Sequence, residues 1–207
     1  MSDRIQSVVF AAALCLVVSL LLTTASTGLQ RFQQQNVLID KQKNILKSVG
    51  IIDPDKKIDS DAVQKLFTDS IKALWVDPTG RLIEEKVRGE QSLPVYVHVK
   101  DGDVQAYIIP INSRGLWGRI LGYLALNADG STIAGFTVYK HSETPGLGGE
   151  IEKRWFQKNW IGKQVVDQAG DFISVGIAKG KVAEVIPEDK RPHYVDGISG
   201  ATLTGKY

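Results

Sequence analysis

Val95-Tyr96-Val97-His98-Val99-Lys100-Asp101-Gly102-Asp103-Val104 is the stretch on which the fold turns. Three β-branched valines alternate with Tyr, His and Lys, the period of two that sets one face of a strand against a core. Asp-Gly accepts positive φ, which a two-residue hairpin loop demands. Val104 to Ile111 is therefore the returning strand. Toward the C-terminus, Gly118 to Leu126 and Thr132 to Tyr139 read as a second strand pair around Asn127-Ala128-Asp129-Gly130. Glu152 to Trp160 reads as a short helix. Ile173 to Ala178 and Val182 to Ile186 read as a last hairpin around Lys179-Gly180. Toward the N-terminus, Val63, Leu66, Phe67, Ile71 and Leu74 share one face of a helix that Asp59 or Ser60 can cap. Asp77-Pro78-Thr79-Gly80 ends it in a turn. Strands joined by short turns, with helices between and before them, predict an α+β fold: an antiparallel sheet with packed helices.

Further upstream, Val37, Leu38, Ile45, Leu46 and Val49 repeat at helical spacing from Gln30 to a stop at Gly50, and Asp53-Pro54 breaks the chain beyond it. Before that, no charge falls between Arg4 and Arg31, and Val8 to Leu22 is almost wholly apolar. Two dozen helical residues reach roughly 36 Å, enough for a hydrocarbon core of ~30 Å. A cleaved signal peptide competes with a retained span, since Thr24, Ala25, Ser26 and Thr27 follow the apolar run. Asp3 beside Arg4 weakens the charged head such a peptide needs, so the expectation is one N-terminal transmembrane helix. The expected division is an anchor over 1–30 and a second domain, led by a juxtamembrane helix, over 31–207. Either reading carries the remainder across a membrane.

Composition removes several functions. With 25 basic and 23 acidic side chains the net charge is +2, without the concentrated basic face that nucleic acid requires. The single cysteine, Cys15, lies inside the apolar run, so the rest of the chain has no disulfide, thiolate metal site or redox thiol. His98, His141 and His193 are scattered without ligand spacing, and no metal site is expected. Gly146-Leu147-Gly148-Gly149-Glu150-Ile151 begins like a dinucleotide fingerprint, but Ile151 stands where the third glycine belongs. The membrane span holds no internal acidic residue, so ion conduction by this chain alone is not expected.

Two segments carry chemistry. In His141-Ser142-Glu143-Thr144-Pro145-Gly146-Leu147-Gly148-Gly149-Glu150, glycines let the backbone approach a flat ligand, Pro145 stiffens the loop and Leu147 can lie against a ring. By residues alone it serves equally as a surface loop after the strand ending at Tyr139. In Asp196-Gly197-Ile198-Ser199-Gly200-Ala201-Thr202-Leu203-Thr204, small residues at the start of a helix expose N–H groups that suit a phosphate. The hydroxyls of Ser199, Thr202 and Thr204 can bond or be esterified by it. A capped turn explains the same residues.

Asp196-Gly-Ile-Ser-Gly-Ala-Thr202 resembles the flavinylation motif D-G-x-[ST]-G-A-T of the FMN-binding domain family. Glu143-Thr-Pro-Gly-Leu-Gly148 resembles that family's ring-side loop. The anchor, the segment Asp40-Lys-Gln-Lys-Asn-Ile-Leu46 and Gly115-Leu-Trp-Gly118 bring the likeness closer to one branch of it. That branch is the singly anchored, FMN-carrying subunits of Na+-translocating NADH:quinone oxidoreductases. The equivalent flavin subunit of the ferredoxin-dependent ion-translocating complex is the near alternative, and a non-catalytic membrane-tethered FMN module is the more distant one.

The resemblance implies covalent FMN, one per chain, installed from FAD by a separate flavin transferase as a phosphoester on Thr202. It places the ring near Glu143, Thr144, Gly146 and Leu147, with Lys179 approaching it and Ser199, Gly200 and Ala201 around the phosphate. It implies an electron-relay subunit among other membrane and flavin subunits of a bacterial inner-membrane complex. That complex passes electrons from NADH to ubiquinone and exports sodium; the domain is expected on the periplasmic side, with no NADH oxidation of its own. The family usually continues some tens of residues past this motif, so the domain is expected to be C-terminally incomplete at Tyr207.

Overall fold

The computed structural model describes residues 3–87, 89 and 91–201. Two compact units divide the chain, 1–40 and 41–207. Helix α1 runs Asp3–Ser48 without interruption, so the juxtamembrane helix continues the apolar one rather than restarting. In the first unit its apolar side chains lie exposed, Val8 at 68% and Phe10 at 70%, and the helix is long and apolar enough to cross a membrane. In the second unit its last turns are buried through Ile45, Leu46 and Ser48. Gly50 stops it with φ +73, its N–H donating to Lys47 O at 3.1 Å while Ile51 N–H reaches back to Leu46 O at 3.0 Å.

Helix α2, Ser60–Ser70, is capped by the Asp59 carboxylate, which accepts from Asp61 N–H at 3.1 Å. It ends four residues before the sequence reading places its last apolar contact. Ile71 and Leu74 belong instead to strand β1, Ile71–Val76. A helical repeat of apolar positions cannot distinguish the two, and cross-strand pairing decides: Ile71 faces His98 and Leu74 faces Val95. Asp77 turns β1 into β2, Leu82–Ile83, by accepting from the Thr79 and Arg81 amides and the Thr79 hydroxyl.

The hairpins read from the sequence are β3 (Leu93–Lys100) with β4 (Asp103–Arg114), and β5 (Arg119–Asn127) with β6 (Ile133–Lys140). Lys100 pairs with Asp103 across a two-residue loop in which Asp101 and Gly102 both have positive φ, +56 and +94. The sheet order is β2-β1-β3-β4-β5-β6, every neighbouring pair antiparallel.

Both faces of the sheet are covered. On one, the end of α1 sits so close that a Cβ at Gly135 would collide with the Ser48 carbonyl, and Thr137 donates its hydroxyl to Asn44 O at 3.3 Å. The Phe67, Tyr96 and Tyr123 rings join α2 to the same face edge-on, and Tyr123 stacks on Tyr139. On the other, Ile120, Val138, Ile151, Phe156 and Val195 form a core with Phe136, Trp160 and Ile198 packed against it. Helix α3, Arg154–Lys158, supplies Phe156.

The last predicted hairpin is not present. Strand β7, Gly176–Ile177, pairs in parallel with β8, Tyr194–Val195, and residues 182–185 form the helical turn α4, Val182–Val185. Asp196 explains the difference: its Oδ1 accepts from Val182 N–H at 2.7 Å, satisfying a free donor at the start of α4. The β-branched run at 182–186 is thereby turned helical by a partner 14 residues away.

Candidate functional site

The chemistry-bearing segments converge beside the core that β8 and α3 build. The ring-side loop leaves β6 at His141 and ends in a 3-10 turn over Gly148–Glu152. Thr144 O organises it, accepting from Leu147 N–H at 3.1 Å and Gly149 N–H at 2.9 Å. A Cβ at Gly149 would sit 3.0 Å from that same oxygen, so the loop closes only over a glycine. Gly146 has φ +76 with open space where a side chain would go. Thr144, Gly146 and Leu147 are exposed.

Glu143 behaves differently. It is 5% exposed, and its Oε1 accepts from Trp117 N–H at 2.9 Å, in the turn that joins β4 to β5. Gly115 in that turn leaves the room: a Cβ there would lie 2.5 Å from the Glu143 carboxylate oxygen. Asn112 to Arg119 also line a cavity of about 480 Å³. Leu116 and Trp117 at its tip expose 51% and 68% of their surface, beside a loop read as a ring site.

The second motif follows β8. Asp196 is engaged with α4, Gly197 N–H donates to Gly180 O at 2.8 Å, and a Cβ at Gly197 would strike the Ala178 carbonyl. Lys179, exposed between those two residues, is thus drawn to the motif by backbone contact, although it lies in no hairpin. Ile198 packs into the core, Ser199 and Gly200 form an exposed turn, and Ala201 is buried with its N–H on Ile198 O at 3.1 Å. The helix expected to open here does not begin by Ala201. Thr202 and Thr204 lie outside the described residues.

The decisive contact is between the two motifs. Gly200 has φ +74, and a Cβ on it would lie 2.8 Å from Leu147 Cδ2. The tip of the ring-side loop therefore rests on the turn that leads into Thr202. Open glycine backbone, an apolar leucine and a small-residue turn suit a flat ring with a phosphate tail. Among the described residues no three His, Cys, Asp or Glu side chains gather as metal ligands.

Sequence reasoning missed the structural part of His141 and the backbone of Trp117, both of which hold Glu143. Gly115-Leu-Trp-Gly118 was a signal for the second; the first had only its place two residues before Glu143.

A model of the FMN-binding domain family matches residues 115–207. The NqrC subunit of the Na(+)-translocating NADH-quinone reductase of Pseudomonas aeruginosa is 35% identical, covering 97% of this chain and 87% of that protein. Its namesake in Yersinia pestis is 33% identical, with coverage of 92% and 80%. The crystal structure of the corresponding Parabacteroides distasonis protein superposes with a TM-score of 0.71 at 34% identity, covering 86% of this chain and 88% of that one.

Proposed function

The chain belongs to the NqrC family of Na+-translocating NADH-quinone reductase subunits, and from that footing we propose that Thr202 carries its FMN as a phosphoester, with the ring against the Glu143–Leu147 loop. The protein is a membrane-anchored, FMN-binding electron-relay subunit of that oxidoreductase and works alongside the complex's other subunits. In our reading residues 1–30 are the single anchor, 31–207 the flavin domain, and the domain stands in the periplasm. An FAD-dependent transferase makes the ester.

The contact of Leu147 with Gly200 carries this reading, because it joins the ring's seat to the residue pair that precedes the acceptor. FMN supplies one- and two-electron redox chemistry when bound; the chain supplies position and electrostatics. Leu147 offers an apolar surface to the ring. Ser199 offers a hydroxyl, and Gly200 and Ala201 room, to the phosphate. Lys179 brings a positive charge to the same edge. No general acid or nucleophile of this chain is required, since the ester is formed once by another enzyme.

The test is in-gel flavin fluorescence under denaturing conditions, in the full-length chain made with the transferase. Thr202→Val keeps the shape and removes the oxygen, so covalent flavin is abolished; Thr204→Val retains it. The reverse result would overturn the assignment. Protease that reaches the domain in spheroplasts but not in intact cells tests its side of the membrane. Native N-terminal sequence beginning near Ser26 would remove the anchor.

A further inference from the structure

We propose that His141 is a positioning residue for the flavin: its imidazole ties the ring-side loop to the body of the domain at both ends. The inference rests on the reading of Glu143–Leu147 as the ring's seat. His141 is the first residue after β6, and its Nδ1 accepts from Glu143 N–H at 3.1 Å. A ring nitrogen that accepts carries no proton, so the proton sits on Nε2. Nε2 lies 3.3 Å from Glu152 Oε2, at the far end of the loop, and donates to it. Glu152 is held below the usual carboxylate range by hydrogen bonds from Lys153 and from His141, so it stays an acceptor.

The imidazole side chain is only 14% exposed, and its bonds meet little competition from water. One ring thus spans the loop's entry and exit. The bonds from Leu147 and Gly149 to Thr144 O are internal to the loop and set its shape, not its place. Placement comes from His141 and from the Glu143 carboxylate, seated on Trp117 N–H. Losing the Nδ1 acceptor leaves the part-buried Glu143 N–H without that partner and releases the backbone next to the carboxylate. Leu147 then rests less firmly on Gly200.

Asparagine separates this role from simple packing. Its Oδ1 stands as many bonds from the backbone as Nδ1 does and accepts from the amide two residues on, the geometry of an Asx-turn. The experiment uses the full-length chain made with the flavin transferase and kept in membranes. His141→Asn, His141→Leu, His141→Ala and Leu147→Ala are compared with the native chain. Denaturing gel fluorescence measures covalent loading, and iodide quenching of native flavin fluorescence measures how far the ring is exposed.

All four variants load normally. Leu147→Ala, His141→Leu and His141→Ala raise quenching, the histidine variants by shifting the loop roughly fivefold toward open forms, the weight of one ordinary hydrogen bond. His141→Asn quenches like the native chain. Native quenching in His141→Leu and His141→Ala, with Leu147→Ala responding, overturns the role of His141 alone. An Asn variant as quenched as the Leu variant overturns it too, as do Leu and Ala variants that fail to accumulate where Asn does, which would assign His141 to folding. Silence at Leu147→Ala removes the loop as the ring's seat, and this inference with it.

Discussion

The meander β3–β6 and the segment 141–201 are built on opposite plans. In the meander each strand pairs with its chain neighbour, and the turns are decided by the residues inside them. Asp101-Gly102 supplies its own positive φ values; Asp129 supplies its own acceptor, taking Ser131 N–H at 2.8 Å and Thr132 N–H at 2.9 Å. In the second segment, conformation is set by remote partners. Asp196 caps α4, Val195 pairs with β7, and Leu147 lies on Gly200. Self-contained elements make a stiff platform; elements that depend on one another bring chemically useful residues together from distant parts of the chain.

The sharpest contrast is between two glycines. Gly135→Ala drives a methyl into the backbone carbonyl that ends α1, where neither side can yield. A loss of about 3 kcal/mol, the upper part of the range for overpacking, is expected in a urea unfolding experiment. Gly197→Ala meets the Ala178 carbonyl, in a segment held by fewer ladder bonds. The loop is expected to shift, at about 1–2 kcal/mol of stability, while covalent flavin loading falls sharply. Equal stability losses with normal loading in Gly197→Ala would erase the distinction between platform and site.

Gly102→Ala tests the platform's local turns. Nothing lies within 4 Å of the added methyl, and only the positive φ opposes it, so the cost is about 1 kcal/mol with loading unchanged. A larger loss would mean that the hairpin does more than close on itself.

The smallest effect concerns Asp129, whose pKa the Thr132 and Ser131 amides lower from 3.8 to about 2. A depressed folded pKa contributes stability above the unfolded value, and that contribution disappears as pH falls from about 4 through 2. Asp129→Asn is therefore expected to flatten the acid limb of the stability curve in that window. The group is exposed, so the change at neutral pH stays below ~1 kcal/mol. An unaltered acid limb would show that the turn does not need the charge.

What could be read without the fold follows the same division. The alternation at Val95–Val99, the Asp-Gly turn, the Asp59 cap and the apolar helix depend on residues within a few positions of one another, where steric preference and periodicity act directly. The α2–β1 boundary is not legible in this way, because Ile71 and Leu74 satisfy a helical face and a strand equally well until β3 is beside them.

Local residue order was enough for the platform, the anchor's length and polarity, and the succession of the two motifs. Their meeting came only from the folded chain. So did the burial of Glu143 under the Trp117 amide, the conversion of Val182–Val185 to a helical turn and the parallel pairing of β7 with β8. Each of these rests on contacts between residues far apart in the chain, which no short-range preference encodes. A glycine at 200 signals positive φ from sequence, but only packing puts Leu147 upon it.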